Sequence, residues 1–455
     1  MNITKEDKIM EEIKSKVIEE EKFLKEIDTS KFEPLSIKEL SEILEITIKK
    51  DEENKIVTFL CMLSAYTEDS QINISFNAPS SSGKSYIALE LSKLFPEKDL
   101  LKLGGCSPTA FFHEQGAYDK EKNEITVDLE HKIIIFLEMP HNGLLERLRS
   151  LLSHDEKEIK SKITDKNQKG GNRTKTVVIK GYPSVIFCTA GLKIDEQEST
   201  RFILLSPEID QEKIREGILE TIKKEVDSKN YNEWVEKDPR RKLLRERIEA
   251  IKEANIQEVK IPSSDSEMIE ERFSNNKKFY KPRHLRDIKK ILSFIKCLAL
   301  LNLWWREKEG LAIIARTEDI EIAFELWEKI SLSQELSLSP YVYELYRKVI
   351  LAKFNEKNNS RNEEIEHLTG KIGITRKEVL EKHYKVYGRP LDTSQLRQQI
   401  LPMLETVGLI FQEQDKSDKR SMLIYPAIKD DNKLEDKNEI NSVIGGGVSS
   451  DLGIF

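Results

Sequence analysis

Eight residues carry the clearest chemistry in this chain: Ala78-Pro-Ser-Ser-Ser-Gly-Lys-Ser85. They lie between the apolar run Asn73-Ile-Ser-Phe-Asn77 and a helix-prone segment from Tyr86. A strand, a tight small-residue turn and a helix in that order make a phosphate-binding loop, whose backbone N–H groups cradle phosphate oxygens. The helix start adds the positive end of its dipole. Ser82, Gly83, Lys84, Ser85 and Tyr86 are the expected nucleotide contacts. Lys84 would reach the β- and γ-phosphates, and the Ser85 hydroxyl would ligate Mg²⁺. The first glycine usual in such loops is Ala78 here, while Gly83-Lys84-Ser85 is intact.

Four further stations follow. Ile133-Ile-Ile-Phe-Leu-Glu138 reads as a buried strand with Glu138 at its C-terminal end, where a carboxylate can polarise an attacking water. The residue before it is Leu137, where a Mg²⁺-holding aspartate is usual. A core strand ending in a surface glutamate would look the same. Tyr182-Pro-Ser-Val-Ile-Phe-Cys-Thr189 reads as a second buried strand with Thr189 at its tip, placed to position that water or simply to end the strand. Arg201 precedes the apolar run Phe202–Leu205, and Arg283 opens a long apolar helix. Either guanidinium can offset charge in phosphoryl transfer. Taken singly, each is more often a surface salt bridge.

The elements that must position these groups are legible. From Gln71 to about Pro207 strands and helices alternate, which predicts an α/β fold around a parallel sheet. Helices precede it from Leu35 to Tyr66, and a highly charged helical stretch follows over 208–258. The expected division is a charged helical leader (1–35), an α/β core (36–210), a helical connector and lid (211–335), a C-terminal module (336–428) and a disordered polar tail (429–455). Net charge is −7, from 74 basic against 81 acidic residues, so any nucleic-acid contact must come from local basic clusters. No run suits a bilayer span, and the charged N-terminus does not suit a secretory signal. The four cysteines are scattered without metal-ligand spacing, which argues against zinc and for a reducing cytoplasm.

The order of the stations resembles that of the AAA+ ATPases, and most closely the minichromosome maintenance (MCM) helicase branch. LERLRSLLSHDEKEIKSKIT…GNRTKTVVIKGYPSVIFCTAG resembles that family's helix and β-hairpin before the sensor-1 strand. STRF resembles its arginine-finger SRF, PRHLRDIKKILSFIKCLAL its sensor-2 helix, and ARTEDIEIAFELW its lid helix. GAYDKEKNEITVDLEHKIIIFLE resembles its other insertion. The likeness covers about Leu40 to Leu332, and the family's N-terminal DNA-binding domain has no counterpart in the leader.

The resemblance implies an ATP- and Mg²⁺-dependent ring, expected to be a hexamer, that translocates on DNA. Glu138, Thr189, Arg201 and Arg283 would be its catalytic residues, with Arg201 acting on a neighbour's nucleotide. The hairpin, expected over about Ile163 to Gly181, would carry Lys166, Lys169, Arg173 and Lys175 to DNA phosphates. An ATP-dependent assembly switch on DNA is the alternative, favoured by Leu137. The 336–428 module resembles a winged helix, with DNA or protein as its contact. The terminal DLGIF is similar to a sliding-clamp-binding pentapeptide, and the acidic run before Phe455 to the tail of single-stranded-DNA-binding proteins. An inert tail fits as well.

Overall fold

The computed structural model describes residues 27–114, 116–119, 121–122, 124–165, 173–192, 199–275, 277, 279–359, 372–415 and 418–427. They form two compact units, divided after Tyr341. The expected leader and tail lie largely outside the described residues.

The first unit opens with α1 (Ile37–Glu45) and α2 (Glu52–Ser64). Ser36 and Glu39 cap α1 reciprocally, each side chain bonding the other's backbone N–H. Next come β1 (Asn73–Asn77), α3 (Lys84–Ser92), β2 (Leu100–Leu103), β3 (Ala117–Asp119), β4 (Glu124–Asp128), β5 (Ile133–Phe136) and α4 (Asn142–Leu152). After these run β6 (Glu158–Asp165), β7 (Arg173–Lys180), β8 (Ser184–Thr189) and β9 (Ile203–Leu205). The helical part has α5 (Gln211–Val226), α6 (Ser228–Lys237), α7 (Pro239–Ala254), α8 (Ser266–Ser274), α9 (His284–Leu301) and α10 (Thr317–Glu335). Three short strands, β10 (Glu258–Lys260), β11 (Glu307–Glu309) and β12 (Ala312–Ile314), form a small sheet within it.

Five strands make the main sheet in the order β2-β5-β8-β1-β9, every neighbouring pair parallel. A strand's side chains alternate between faces, and the alternation divides the core. Ile133, Ile135, Ile186, Ile74 and Ile203 enter one cluster with α2, α3, α9 and α10. Ile134, Phe136, Val185, Phe187 and Leu204 enter the other with α4. There Phe136 stacks on Phe187 at 5.2 Å, and Phe202 meets Phe187 edge-on at 4.8 Å. A parallel sheet covered on both faces needs this two-sided apolar pattern.

A second sheet, β3-β4-β7-β6, adds its Val127, Val177 and Ile179 to the same cluster as α4. Its β6–β7 hairpin pairs from Glu158↔Lys180 to Asp165↔Arg173, so it starts five residues before the expected Ile163. Its β4 pairs in parallel with β7, which joins the two expected insertions into one sheet. Gly181 turns β7 toward β8 at φ +90°, and a Cβ there would lie 2.5 Å from the Glu130 backbone nitrogen. Both the φ and the contact demand glycine.

The second unit holds a helical run ending in Ala352–Asn359, a short strand β13 (Ile374–Thr375) and helix Arg376–Tyr387. A second helical run from Thr393 to Thr406 follows, capped by Asp392, whose side chain accepts from Gln395 N. Strands β14 (Ile410–Gln414) and β15 (Met422–Pro426) close it, with sheet order β13-β15-β14. Among the described residues no helix is long and apolar enough to cross a membrane.

Candidate functional site

β1 ends at Asn77, and the chain turns through residues 78–83 into α3. Ser81 sits at φ +62° and Gly83 at +94°, the left-handed conformations that let a loop curl its amides inward. A Cβ built on Gly83 meets nothing within 4 Å, so the space over the loop is open. The Lys84 ammonium donates to the carbonyls of Ala78 and Pro79 at 2.7 and 2.8 Å and so lies folded against the loop. The Ser82 hydroxyl is buried and has no hydrogen-bond partner among the described residues. Ala78 is fully buried, so its methyl group is accommodated beneath the loop. The thiol of Cys188 is buried near Ser85, and burial pushes it up to about 11. Tyr86 is half-exposed, and its hydroxyl donates to Thr47 O at 2.7 Å.

Strand register sets the rest of this edge. Asn77 is level with Thr189, and Phe136 with Phe187, so Glu138 emerges beside Thr189. Two strand spacings put Glu138 about 10 Å from the β1 axis, room for a phosphate and a water between them. Glu138 is exposed. The Thr189 hydroxyl accepts from Gly191 N at 3.0 Å. Asn77 Nδ2 donates to Gly191 O at 3.3 Å, while its Oδ1 is buried without a partner among the described residues. Asn77 is a polar group at the site that motif reading passed over; a side-chain amide ending the phosphate-loop strand was the available signal. Leu137 packs against the core, and its N–H donates to Leu103 O at 2.9 Å, so the side chain offers no metal ligand.

Arg201 is not on this edge. Ile203 is level with Ile74, which sets Arg201 level with Ile72, at the opposite ends of the strands. Six residues of extended chain separate that level from Ala78, about 20 Å. Arg201 Nε donates to Ser153 Oγ at 2.7 Å, beside a cavity of about 540 Å³ that Asn73, His154, Arg286 and Lys289 also line. Burial pushes the His154 imidazole down to about 4, so it is neutral there.

Arg283 stands near the same edge but is buried. Its guanidinium pairs with Asp287 at 2.9 and 3.3 Å and donates to Ser337 Oγ at 2.8 Å. Burial pushes the Asp287 carboxyl up, yet Arg283 and Lys290 outweigh it and hold the group below the usual carboxylate range. The exposed arginine here is Arg286, which donates to Thr200 Oγ1. Sequence reading missed it; the signal was Asp287 four residues after Arg283, the spacing of a helical ion pair.

Of the hairpin residues, Lys175 is half-buried on β7, level with Ile163. Arg173 opens β7, and Lys166 and Lys169 lie outside the described residues. Among the described residues no cluster of acidic, histidine or cysteine groups could hold a metal, and all four cysteines are unpaired. A nucleotide with Mg²⁺ fits the loop on three observations: the open space at Gly83, the orphaned Ser82 hydroxyl, and the Lys84 ammonium held against the loop.

Comparison with curated proteins gave no match. Residues 24–254, half of the chain, match the model of the MTBMA_p00010 P-loop domain. That stretch carries the loop, Glu138, Thr189 and Arg201 on one parallel sheet, and the chain belongs to this family of nucleotide-binding P-loop domains.

Proposed function

We propose that the protein is an ATPase of AAA+ type, close to the MCM branch, that assembles head to tail into a ring and translocates on DNA. The observation that carries the reading is the strand order: β8 lies between the phosphate-loop strand and the Glu138 strand. That order lines Lys84, Thr189 and Glu138 along one edge and leaves Arg201 on the other.

When bound, ATP–Mg²⁺ supplies the anhydride bond to be cleaved and the charge that neutralises its phosphates. Lys84 and Ser85 hold it. Glu138 takes the proton of the attacking water, which Thr189 orients. Arg201 of a neighbouring copy offsets charge in the transition state. Arg283, locked to Asp287, positions the start of α9. The β6–β7 hairpin, with Arg173 and Lys175 on β7 and Lys166 and Lys169 in the sequence between its strands, contacts DNA phosphates. The second unit reads as a winged helix, from its α-β-α-α-β-β order and antiparallel β14–β15 wing. The tail, through Leu452, Ile454 and Phe455, recruits a sliding clamp or similar replication protein.

Leu137, in the place where an aspartate is usual, favours a second reading, a slow ATP-driven assembly switch on DNA. ATP turnover with and without single-stranded DNA, then strand displacement on a forked duplex, separates the two. Strong DNA stimulation with unwinding supports the motor. Slow turnover with ATP-dependent assembly and no unwinding supports the switch, and no ATP turnover or binding overturns both.

A further inference from the structure

Helix α5 is packed inside out. Its one buried residue is Glu220, which accepts from Tyr231 Oη at 2.7 Å and faces Lys49 at 3.9 Å. Ile214, Ile218, Leu219, Ile222 and Val226 are 42 to 80 % exposed. At 3.6 residues per turn these five lie within an arc of about 140°, with Glu220 on the far side. A polar residue inward and five aliphatic residues outward is the reverse of a helix covering its own core. Contiguous apolar faces of this kind mark a docking surface.

The face has a counterpart on the same unit. Phe279, Tyr280 and Leu285 are 67 to 82 % exposed and form an apolar lip at the start of α9. The two surfaces belong to opposite edges of the main sheet. Ser206 Oγ donates to Asn77 O at 2.6 Å and Glu208 N to Asp51 Oδ1 at 2.7 Å, so α5 begins on the phosphate-loop edge. Arg286 bonds Thr200, and Lys290 donates to Phe202 O at 3.2 Å, so the lip lies on the Arg201 edge. Their surroundings differ in charge. Glu208 and Asp210 are exposed at the start of α5, where Glu212 pairs with Lys50 and Arg215 is also exposed, and Lys281, Arg286 and Lys289 flank the lip. A chain with complementary surfaces on opposite edges joins to its own copies head to tail.

We propose that the aliphatic face of α5 is covered by the Phe279–Tyr280–Leu285 lip of a second copy of this chain. The inference rests on the head-to-tail assembly of the proposed function and names the surfaces that make it. A burial of this kind would carry Arg286 and Arg201 of one copy toward the phosphate loop of the next.

The test uses the full chain with a non-hydrolysable ATP analogue and Mg²⁺, followed by sedimentation velocity. Ile218→Asp and Leu285→Asp each place a charge in the contact and should weaken self-association at least about tenfold. Analogue binding and monomer melting should not change, because both side chains are exposed. Mixed in equal amounts, the two variants should form a dimer and nothing larger, since each supplies the surface the other has lost. The inference is overturned if either variant assembles like the parent chain, or if the mixture stays monomeric while the parent assembles. It is also overturned if Ile218→Asp lowers monomer melting, since the face would then be covered from within its own chain. Failure of the parent chain to assemble at all, with analogue still bound, overturns the head-to-tail reading itself.

Discussion

Replacing Arg201 with alanine removes a half-buried side chain whose bond to Ser153 is one hydrogen bond of 2.7 Å. That bond alone accounts for about 1 kcal/mol of the cost to the fold. The cost to turnover should be far larger. An arginine supplied across an interface accounts for about 10³–10⁵ in rate, which is ~4–7 kcal/mol of transition-state stabilisation. The register sets Arg201 about 20 Å from its own phosphate loop, so the arginine cannot serve the nucleotide of its own copy. Lys84→Ala subunits keep the arginine, and Arg201→Ala subunits keep the loop. In an equal mixture, roughly one interface in four joins an intact loop to an intact arginine across a heterologous contact. ATP turnover of the mixture, measured against each variant alone, should therefore recover to about a quarter of the unmutated rate. Turnover no greater than the mean of the two variants, with assembly intact, would refute a shared site. A full loss from Arg201→Ala accompanied by a large fall in melting temperature would refute the catalytic assignment.

Glu138→Gln should bind nucleotide normally while turnover falls about 10²–10⁴-fold, whereas Lys84→Ala should lose binding; fluorescent-nucleotide titration beside a phosphate-release assay checks both. Burial holds the Lys290 ammonium down to about 8 against 10.5 when unfolded. Between those values the unfolded chain binds more protons, so stability should rise with pH across that window, by about 3 kcal/mol from this group. Lys290→Met should flatten that part of the denaturation profile; an unchanged slope would put the cause elsewhere. Alanine at Lys166, Lys169, Arg173 and Lys175 should lower the salt dependence of single-stranded DNA binding by up to about 0.7 per lost phosphate contact. An unaltered slope would remove the hairpin from the DNA surface.

The site was most legible where chemistry and local pattern coincide. Gly83-Lys84-Ser85 follows an apolar strand, and Ile133–Phe136 is apolar on both faces, as a covered parallel strand must be. Thr189 ends a strand of the same kind. What stayed hidden depends on partners distant in sequence. Glu124 pairs in parallel with Thr176, and nothing local in either segment specifies that contact. The expected hairpin began at Ile163 because Glu158–Lys162 is charged and alternates on an exposed strand. Arg283 and Arg286 look alike in sequence, yet Asp287 draws one into the core and leaves the other in solvent. The stretch 208–258 reads as charged helix, and its apolar spacing at Ile214, Ile218 and Ile222 would ordinarily point inward. Glu220 takes the inward place because Tyr231 and Lys49 satisfy it there.

Parallel strands explain why these residues come in two sets. Every connection that leaves a strand's C-terminal end emerges on one edge, and every connection that enters does so on the other. The phosphate loop, Glu138 and Thr189 all follow strands; Arg201 precedes one. The separation between loop and arginine is therefore a property of the topology and not of any side-chain rotamer. Small local movement does not close a gap of about 20 Å in a packed sheet. In the proposed assembly a neighbouring copy, turned so that its strand-entry edge meets this exit edge, brings the halves together. Leu137 sharpens the point. With its side chain packed against the core and its N–H on Leu103, the exit edge has one carboxylate where two are usual. In both proposed readings, a site short of one acidic group would depend more heavily on the charge a neighbouring copy brings, and turnover would be coupled to assembly.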